Sequence, residues 1–539
     1  LGTIIGYHGF VDQSGKGFII NNLGNSCTSD FLAWIVKDHF GDEYKKVAYD
    51  IDAFAATLFK LIGITKEQGN ILHEKEELWI NNYQIKYFPA KFLGIGYGTG
   101  WGRPYASFSD ISQYYDNPTL NFNPSIENCQ KVAQSARDLA AKVSRTLYDL
   151  GLDANTLTSP ISSLDKALLS KLDLPNHKDC PPEVNDYALK CCPGNLVQIY
   201  AQGHFHDCTD LDLSGAYSSF LAELYDTRRG EWVKGKRPDN AIYGFAHGYI
   251  TTQAPLHPFI YSTGGEGGNF TPVGSWETYL TLNELDFMTE YKLGEFEFID
   301  GWWWYPTGKS FKGELVTDKM NQPMKGIVNY IFQKRLNATP LANKLLKRMA
   351  SGLWGRTLSK AGGEYAKTFM PVWGSPVEAN TRIEVVRFCL DNNITPLSIA
   401  VDGVVCQNFD GTKVKIPKEK QLGQWRISHQ GSCLVISSGL VGMEQKLGQG
   451  DFGVTYQWLI DHISQNPSGN EYSMEKIICN TLGRSLNLNF DKLGTLEISK
   501  KTIHIGHENK RLYWENPTCG NELLNNQYVS EPLDVSMIV

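Results

Sequence analysis

Asp212-Leu-Ser-Gly-Ala-Tyr217-Ser-Ser219 stands at the end of an apolar strand pattern. It reads as a strand leaving on a carboxylate, a turn, and a tyrosine at the opening of a helix. An Asp at a strand end offers hard oxygen ligands to a divalent cation. A tyrosine five positions on can close the sugar side of a nucleotide pocket. The same two residue types also occur in turns with no chemistry, so the rest of the chain decides between the readings.

Two later segments carry matching chemistry. Around Lys347-Arg-Met-Ala-Ser351-Gly-Leu-Trp354-Gly355, the residues Lys344, Lys347 and Trp354 recur at helical spacing, so one helix face holds two ammonium groups and an aromatic plate. Cations suit a triphosphate and a ring suits a base. An amphipathic helix with a solvated basic edge would show the same pattern. Pro396-Leu-Ser-Ile-Ala-Val-Asp402-Gly-Val-Val-Cys406 reads as a hairpin with Asp402 at its tip.

In this order the segments resemble family B DNA polymerases. The first is similar to the palm motif Asp-x-x-Ser-x-Tyr-Pro-Ser at Asp212 and Tyr217, with Gly215 for the first Ser and Ser218 for the Pro. The second resembles the fingers motif Lys-x-x-x-Asn-Ser-x-Tyr-Gly, with Ser351 for Asn and Trp354 for Tyr. The hairpin stands where the family carries Asp-Thr-Asp-Ser. Asp402 takes the place of the second Asp and Ala400 that of the first, which thins the carboxylate cluster. Leu422-Gly-Gln-Trp425 resembles the Leu-Gly-x-Trp of protein-primed, small-phage and linear-plasmid members. The Lys-x-Tyr that normally follows is not evident, and Ser437-Ser-Gly-Leu440 stands in about that region. Lys510-Arg-Leu-Tyr-Trp514 and Tyr528-Val-Ser-Glu-Pro532 look like a C-terminal segment of some plasmid and phage relatives.

The resemblance implies a two-metal nucleotidyl transfer in which Asp212 and Asp402 hold Mg2+, or Mn2+ in its place. Lys347, helped by Arg335 or Lys344, would neutralise the leaving pyrophosphate. Tyr217 would exclude a ribose 2′-hydroxyl, Trp354 would pack on the nascent base pair, and Leu213, Ser351 and Gly355 would complete the nucleotide pocket. The implied partners are a DNA template-primer, deoxynucleoside triphosphates and a priming terminal protein.

Residues 1–160 alternate strand and helix patterns: strands over Thr3–Val11, Gly17–Asn21 and into Val47–Asp50, helices over Ser29–His39 and Ala53–Leu61. They suggest a ribonuclease-H-like domain, where the family carries a 3′–5′ exonuclease. Asp50, with Asp52 competing, resembles the second exonuclease motif. Asp138 falls at the third, with Gln134 at the place of that motif's Tyr. The first motif, Asp-x-Glu, is not in the chain and is expected just before Leu1, or the domain is a scaffold. The expected fold is therefore multidomain α/β and α+β: the exonuclease-type domain (1–160), a linker and first palm segment (161–224), and a protein-primed-type insertion (225–305). Fingers (306–360), a second palm segment (361–425), and thumb with C-terminal extension (426–539) follow. Within the insertion, Trp302–Trp304 read as a buried strand rather than a base-stacking platform, and Gly264–Gly268 as a flexible loop. The short stretch from Gly355 to Asp402 implies that the second insertion of the protein-primed group is reduced or missing.

Composition sets outer bounds. The 539 residues, 42% hydrophobic and 12% aromatic, suffice for several globular subdomains. A formal charge of −7 argues against a duplex-binding surface unless charge is segregated. Arg228, Arg229, Lys234, Lys236 and Arg237 form one basic segment, and Lys334, Arg335, Lys344, Lys347, Arg348, Arg356 and Lys360 another. Eleven cysteines, scattered through apolar segments, point to reduced thiols and a cytoplasmic setting. His177, Cys180, Cys191, Cys192, His204, His206 and Cys208 cluster without the paired spacing of a zinc site. No apolar run reaches the roughly 18 residues that cross a bilayer. The expectation is template-directed DNA synthesis for a phage, plasmid or mobile element. Ala400 and the incomplete exonuclease set keep a second reading open, a polymerase-fold protein that binds nucleic acid or a partner without catalysis, with an unrelated two-metal nuclease third.

Overall fold

Along Ala201–Leu213 buried apolar residues alternate with polar ones, and this strand becomes the axis of a seven-stranded antiparallel sheet. The order is Leu440–Met443, Trp425–Ser437, Ala201–Leu213, Gly403–Gln407, Pro396–Ala400, Val197–Ile199, with Gln527–Val529 pairing the start of the central strand. The computed structural model describes residues 172–263, 268–307, 321–361, 364–365, 368–414, 416–417, 420–446, 454–480, 482–493 and 495–538. In the N-terminal region it describes 2–4, 7–11, 17–21, 46–48, 64–75, 77–80 and 83–87, with single residues at 145, 148 and 169. The chain divides into two compact units: residues 172–333, 350–474 and 502–539 form the larger, and 1–171, 334–349 and 475–501 the smaller.

Both faces of the large sheet bury apolar side chains. On one face Leu211, Leu213, Ile399 and Val404 pack with Ile383, Val386 and Phe388 of the long helix Pro371–Asp391. On the other, Phe205, Cys208, Val405, Cys433 and Val441 meet Tyr513 from the C-terminal region. A third cluster joins Leu434 and Ile436 of the sheet to Leu459 and Ile463 of the helix Tyr456–Gln465.

A second, four-stranded antiparallel sheet runs Gly274–Thr281, Tyr243–Thr252, Glu295–Pro306, Gly230–Lys234. Trp302–Trp304 lie in its third strand, as their pattern suggested, and Trp304 is 0% exposed. Two of the three indoles are satisfied: Trp303 Nε1 donates to the Gly235 carbonyl and Trp304 Nε1 to that of Thr227, while Trp302 Nε1 is buried without a partner. The helix Leu282–Tyr291 starts on a capping box in which Thr281 and Glu284 each accept from the other's backbone N–H.

Glu284 has a second task. Its Oε1 accepts from Arg382 at 2.8 Å while Glu378 Oε1 accepts from the same guanidinium at 3.0 Å. All three side chains are at most 3% exposed. Arg382 also donates to the carbonyls of Gly194 and Pro258, so one cation ties four separate stretches of chain. Glu378 accepts in addition from the Cys192 thiol, whose ionisation is pushed up by burial and by that carboxylate.

In the smaller unit, Gly2–Ile4, Tyr7–Val11 and Gly17–Asn21 form an antiparallel sheet. Ile4 lies opposite Tyr7, so the run Thr3–Val11 that reads as one strand is a hairpin. Lys46–Ala48 runs parallel to Tyr83–Tyr87, which pairs antiparallel with Glu77–Ile80. The expected helices at 29–39 and 53–61 and the loop 264–267 lie outside the described residues. Among the described residues no helix is long and apolar enough to cross a membrane, and eight cysteines are free thiols.

Replacing Arg382 by Ala strands two buried carboxylates, which should cost about 3–5 kcal/mol. A lowered urea midpoint with an unchanged slope would register it. Adding Glu284→Gln and Glu378→Gln to the variant should recover part of the loss, because neutral amides carry no unpaired charge.

Candidate active site

The acidic site forms where the central strand stops. Leu211 and Leu213 point into the core, so alternation sends Asp210 and Asp212 together to the opposite face. After Leu213 the chain turns through Gly215, whose φ of 66° lies in the left-handed region, and enters the helix Ala216–Ala222. Tyr217 is the second residue of that helix.

Asp402 arrives from the neighbouring hairpin. Ala400 lies opposite Gly403, leaving Val401-Asp402 as a two-residue turn. Val401 has φ 64°, an uncommon conformation for a β-branched residue and a mark of local strain. Gly403 pairs with Asp212, and the Leu213 N–H donates to the Asp402 carbonyl at 2.9 Å. Strand pairing therefore sets the two Asp residues side by side at one corner of the sheet. Ala400, at the place of the family's first Asp, is exposed.

The Leu422–Trp425 segment closes the other side. Gly423 N–H donates to the Ser214 carbonyl at 2.8 Å and Ser214 N–H to the Gln424 carbonyl at 3.0 Å, a reciprocal clamp on the turn. Gly423 also has positive φ, 71°, and a Cβ there would lie 3.0 Å from Ser219 Cβ. Trp425 stacks on Phe388 at 4.0 Å and donates to Glu384.

The next residue is one that sequence reasoning missed. Arg426 pairs across the ladder with Asp212, and its Nε and Nη2 lie 2.8 and 2.7 Å from Asp212 Oδ2. Asp210 is paired as well, with Lys446 Nζ at 2.8 Å and His429 Nδ1 at 3.2 Å. Arg426 follows directly on the Leu-Gly-x-Trp segment, but only the register reveals what it faces. Ser437–Leu440 forms the link between the strands Trp425–Ser437 and Leu440–Met443, and beyond it Lys446 reaches Asp210.

Tyr217 and Trp354 meet directly. Their rings stack at 4.4 Å with 17° between planes. Trp354 Nε1 donates to the Gly374 carbonyl, and Ser218 Oγ to that of Ala350. Burial raises the Tyr217 phenol well above its ordinary range, and the charges of Glu378 and Asp402 add to the effect. The hydroxyl therefore stays protonated. Trp354, Ser351 and Gly355 lie on the helix Pro340–Leu358, which also carries Lys344 and Lys347. Ser351 and Lys347 are exposed. Arg335, at the end of the helix Lys325–Leu336, donates to Asn343. Asp212, Leu213, Tyr217, Ser351, Trp354, Gly355 and Asp402 belong to the larger unit, while Arg335, Lys344 and Lys347 belong to the smaller.

The exonuclease-type residues Asp50, Asp52 and Asp138, with Gln134, lie outside the described residues. In the His/Cys-rich segment Cys180 contacts Thr227 and Cys192 donates to Glu378, while His204 pairs with Tyr456 and lies 4.6 Å from the His206 ring. Among the described residues no three His, Cys, Asp or Glu side chains gather as a metal cage. Two carboxylates at one corner still suit Mg2+, which is commonly held by one or two protein carboxylates with substrate phosphates supplying further oxygens.

No protein-family model matches the chain, and no curated protein does. Solved structures do match. Phi29 DNA polymerase complexed with primer-template DNA and incoming nucleotide substrates aligns over 93% of this chain and 96% of its own, with TM-score 0.56 and 13% identity. Its orthorhombic crystal form gives 92%, 96%, 0.55 and 13%, and its complex with single-stranded DNA gives 88%, 94%, 0.52 and 14%. Across nearly its whole length the chain shares the mixed α/β fold of Phi29 DNA polymerase, at low sequence identity.

Proposed function

We propose that the protein is a template-directed DNA polymerase that transfers deoxynucleotides to a primer 3′-hydroxyl. The observation that carries this reading is the pairing of Asp212 with the Asp402 turn, beside Tyr217 and Trp354, on a fold shared with Phi29 DNA polymerase. Asp212 and Asp402 hold divalent ions, Mg2+ or Mn2+. Bound there, such ions would supply a lowered pKa for the attacking hydroxyl and positive charge against the triphosphate.

The remaining work falls to the chain's own side chains. Tyr217 forms the sugar-side wall, and as a neutral phenol it adds bulk without charge. Trp354 stacks against that wall and offers its ring to the nascent base pair. Lys347, with Arg335 or Lys344, meets the phosphates. In this reading the large sheet is the palm, the helix Pro340–Leu358 belongs to the fingers, and the residues beyond Arg426 include the thumb. The sheet within 225–305 is the insertion that meets duplex and a terminal protein. The partners are template-primer DNA and deoxynucleoside triphosphates, in a cytoplasmic setting.

A second reading, a polymerase-fold protein without catalysis, draws on Ala400 and on the Arg426–Asp212 pair. One experiment separates the two. Full-length protein with Mg2+, a primed template and all four nucleotides should extend the primer, and Asp212→Asn or Asp402→Asn should abolish extension while leaving DNA binding in place. No extension by the parent protein under Mg2+ or Mn2+ would favour the non-catalytic reading.

The sugar-side role has its own check. Tyr217→Ala should raise ribonucleotide incorporation relative to deoxynucleotide by about tenfold or more, since a steric wall is worth at least about 1.4 kcal/mol of discrimination. A variant that rejects ribonucleotides as strongly as the parent assigns the wall to another residue.

A further inference from the structure

We infer that Arg426 is a tethered counter-cation for Asp212, occupying the carboxylate in the metal-free chain and leaving it when a divalent ion binds. The inference rests on the reading of Asp212 as a metal ligand.

Geometry makes the guanidinium and a cation compete for one oxygen of the carboxylate. Both Nε and Nη2 of Arg426 address the same oxygen, Oδ2, at 2.8 and 2.7 Å. A carboxylate oxygen has about two lone-pair directions. With both used, a cation can take Oδ2, and with it a grip on both oxygens of Asp212, only when the guanidinium moves. The strand register places Arg426 opposite Asp212, so the cation is delivered by the fold itself.

The pair is also built to open. The Arg426 side chain is 43% exposed and that of Asp212 33%. Ion pairs this accessible to water are weakly held, and a released guanidinium can be solvated at once. A doubly charged ion on Asp212 would in turn repel the adjacent cation. The neighbouring carboxylate does not offer Arg426 an alternative, because Asp210 is engaged by Lys446 and His429. The released fork is instead suited to phosphate oxygens, which guanidinium groups bind in bidentate fashion. Metal-free protein is thereby kept with Asp212 oriented and neutralised, and metal loading is coupled to the arrival of an anion that can take the arginine.

The test uses full-length protein and Mn2+ alone, with the electron paramagnetic resonance signal of free Mn2+ reporting the bound fraction. Arg426→Gln and Arg426→Ala should bind Mn2+ about three- to tenfold more tightly than the parent, the range expected for losing one accessible ion-pair competitor. The alanine variant covers the case in which glutamine donates to Oδ2 again. The gain should vanish when Asp212→Asn is added to either. Lys446→Gln, which removes an equal charge from the neighbouring Asp210, should change affinity by less than about twofold. Circular dichroism would verify that each variant is folded.

Equal affinity in parent and both Arg426 variants overturns the inference, as does a gain that survives Asp212→Asn. An equal gain from Lys446→Gln also overturns it, because the effect would then belong to the general field. If neither parent nor variants bind Mn2+, both this inference and the metal-ligand reading fall. Primer extension that depends on Asp212, together with unchanged Mn2+ affinity in the Arg426 variants, leaves the polymerase reading standing and removes only the tethered cation.

Discussion

The register of one antiparallel ladder governs everything at the acidic corner. The strand Ala201–Leu213 pairs Asp212 with Gly403 on one side and with Arg426 on the other. Side chains alternate between faces along a strand, so a slip of one residue would exchange Leu211 and Leu213 with Asp210 and Asp212. Two carboxylates would then enter the apolar layer beneath the helix Pro371–Asp391. Burying a lone carboxylate is far costlier than exposing two leucines, at about 1.5–3 kcal/mol each. The same alternation that hides the leucines therefore keeps both acids on the polar side of the strand, where Arg426, Lys446 and His429 meet them.

The corner is held from behind by a different force. Arg382, buried with Glu284 and Glu378, joins the long helix to the capped helix Leu282–Tyr291 and to the backbone at Gly194 and Pro258. Desolvation cancels much of the attraction in a buried pair, so such networks serve less to raise stability than to specify one arrangement. Here the specified arrangement includes the wall behind Tyr217, whose protonation the nearby Glu378 reinforces. Rigid apolar packing on one side and a buried polar network on the other leave Asp212, with a third of its side chain exposed, as the accessible carboxylate of the central strand.

Charge at this corner differs from the charge of the whole chain. The formal balance is −7, yet Asp212 faces Arg426 and Asp210 faces Lys446 and His429. Each acid is met by a base drawn from the strand or turn beside it. Net charge alone is thus a poor guide to what this surface could bind, since a local field decays within about 8–10 Å at physiological salt.

Much of the architecture was legible in the chain. The strand-turn-helix at Asp212, the hairpin that ends on Asp402, the helix bearing Lys347 and Trp354, and the buried Trp302–Trp304 strand all follow from local periodicity and turn residues. These are patterns that a short window of sequence contains. The pairing of Gly2–Ile4 with Tyr7–Val11 is not legible in the run Thr3–Val11, because an apolar pattern of that length fits one strand as well as two short ones. Arg426 and Lys446 were passed over for a more general reason: what they touch depends on which strands pair and in what register, and pairing partners more than 200 positions apart in sequence leave no local mark. The stack of Tyr217 on Trp354 is of the same kind. Sequence determined which residue types were present and the elements that carry them. Tertiary structure decided which of them meet, because long-range pairing is set by burial of the whole sheet and not by any one segment.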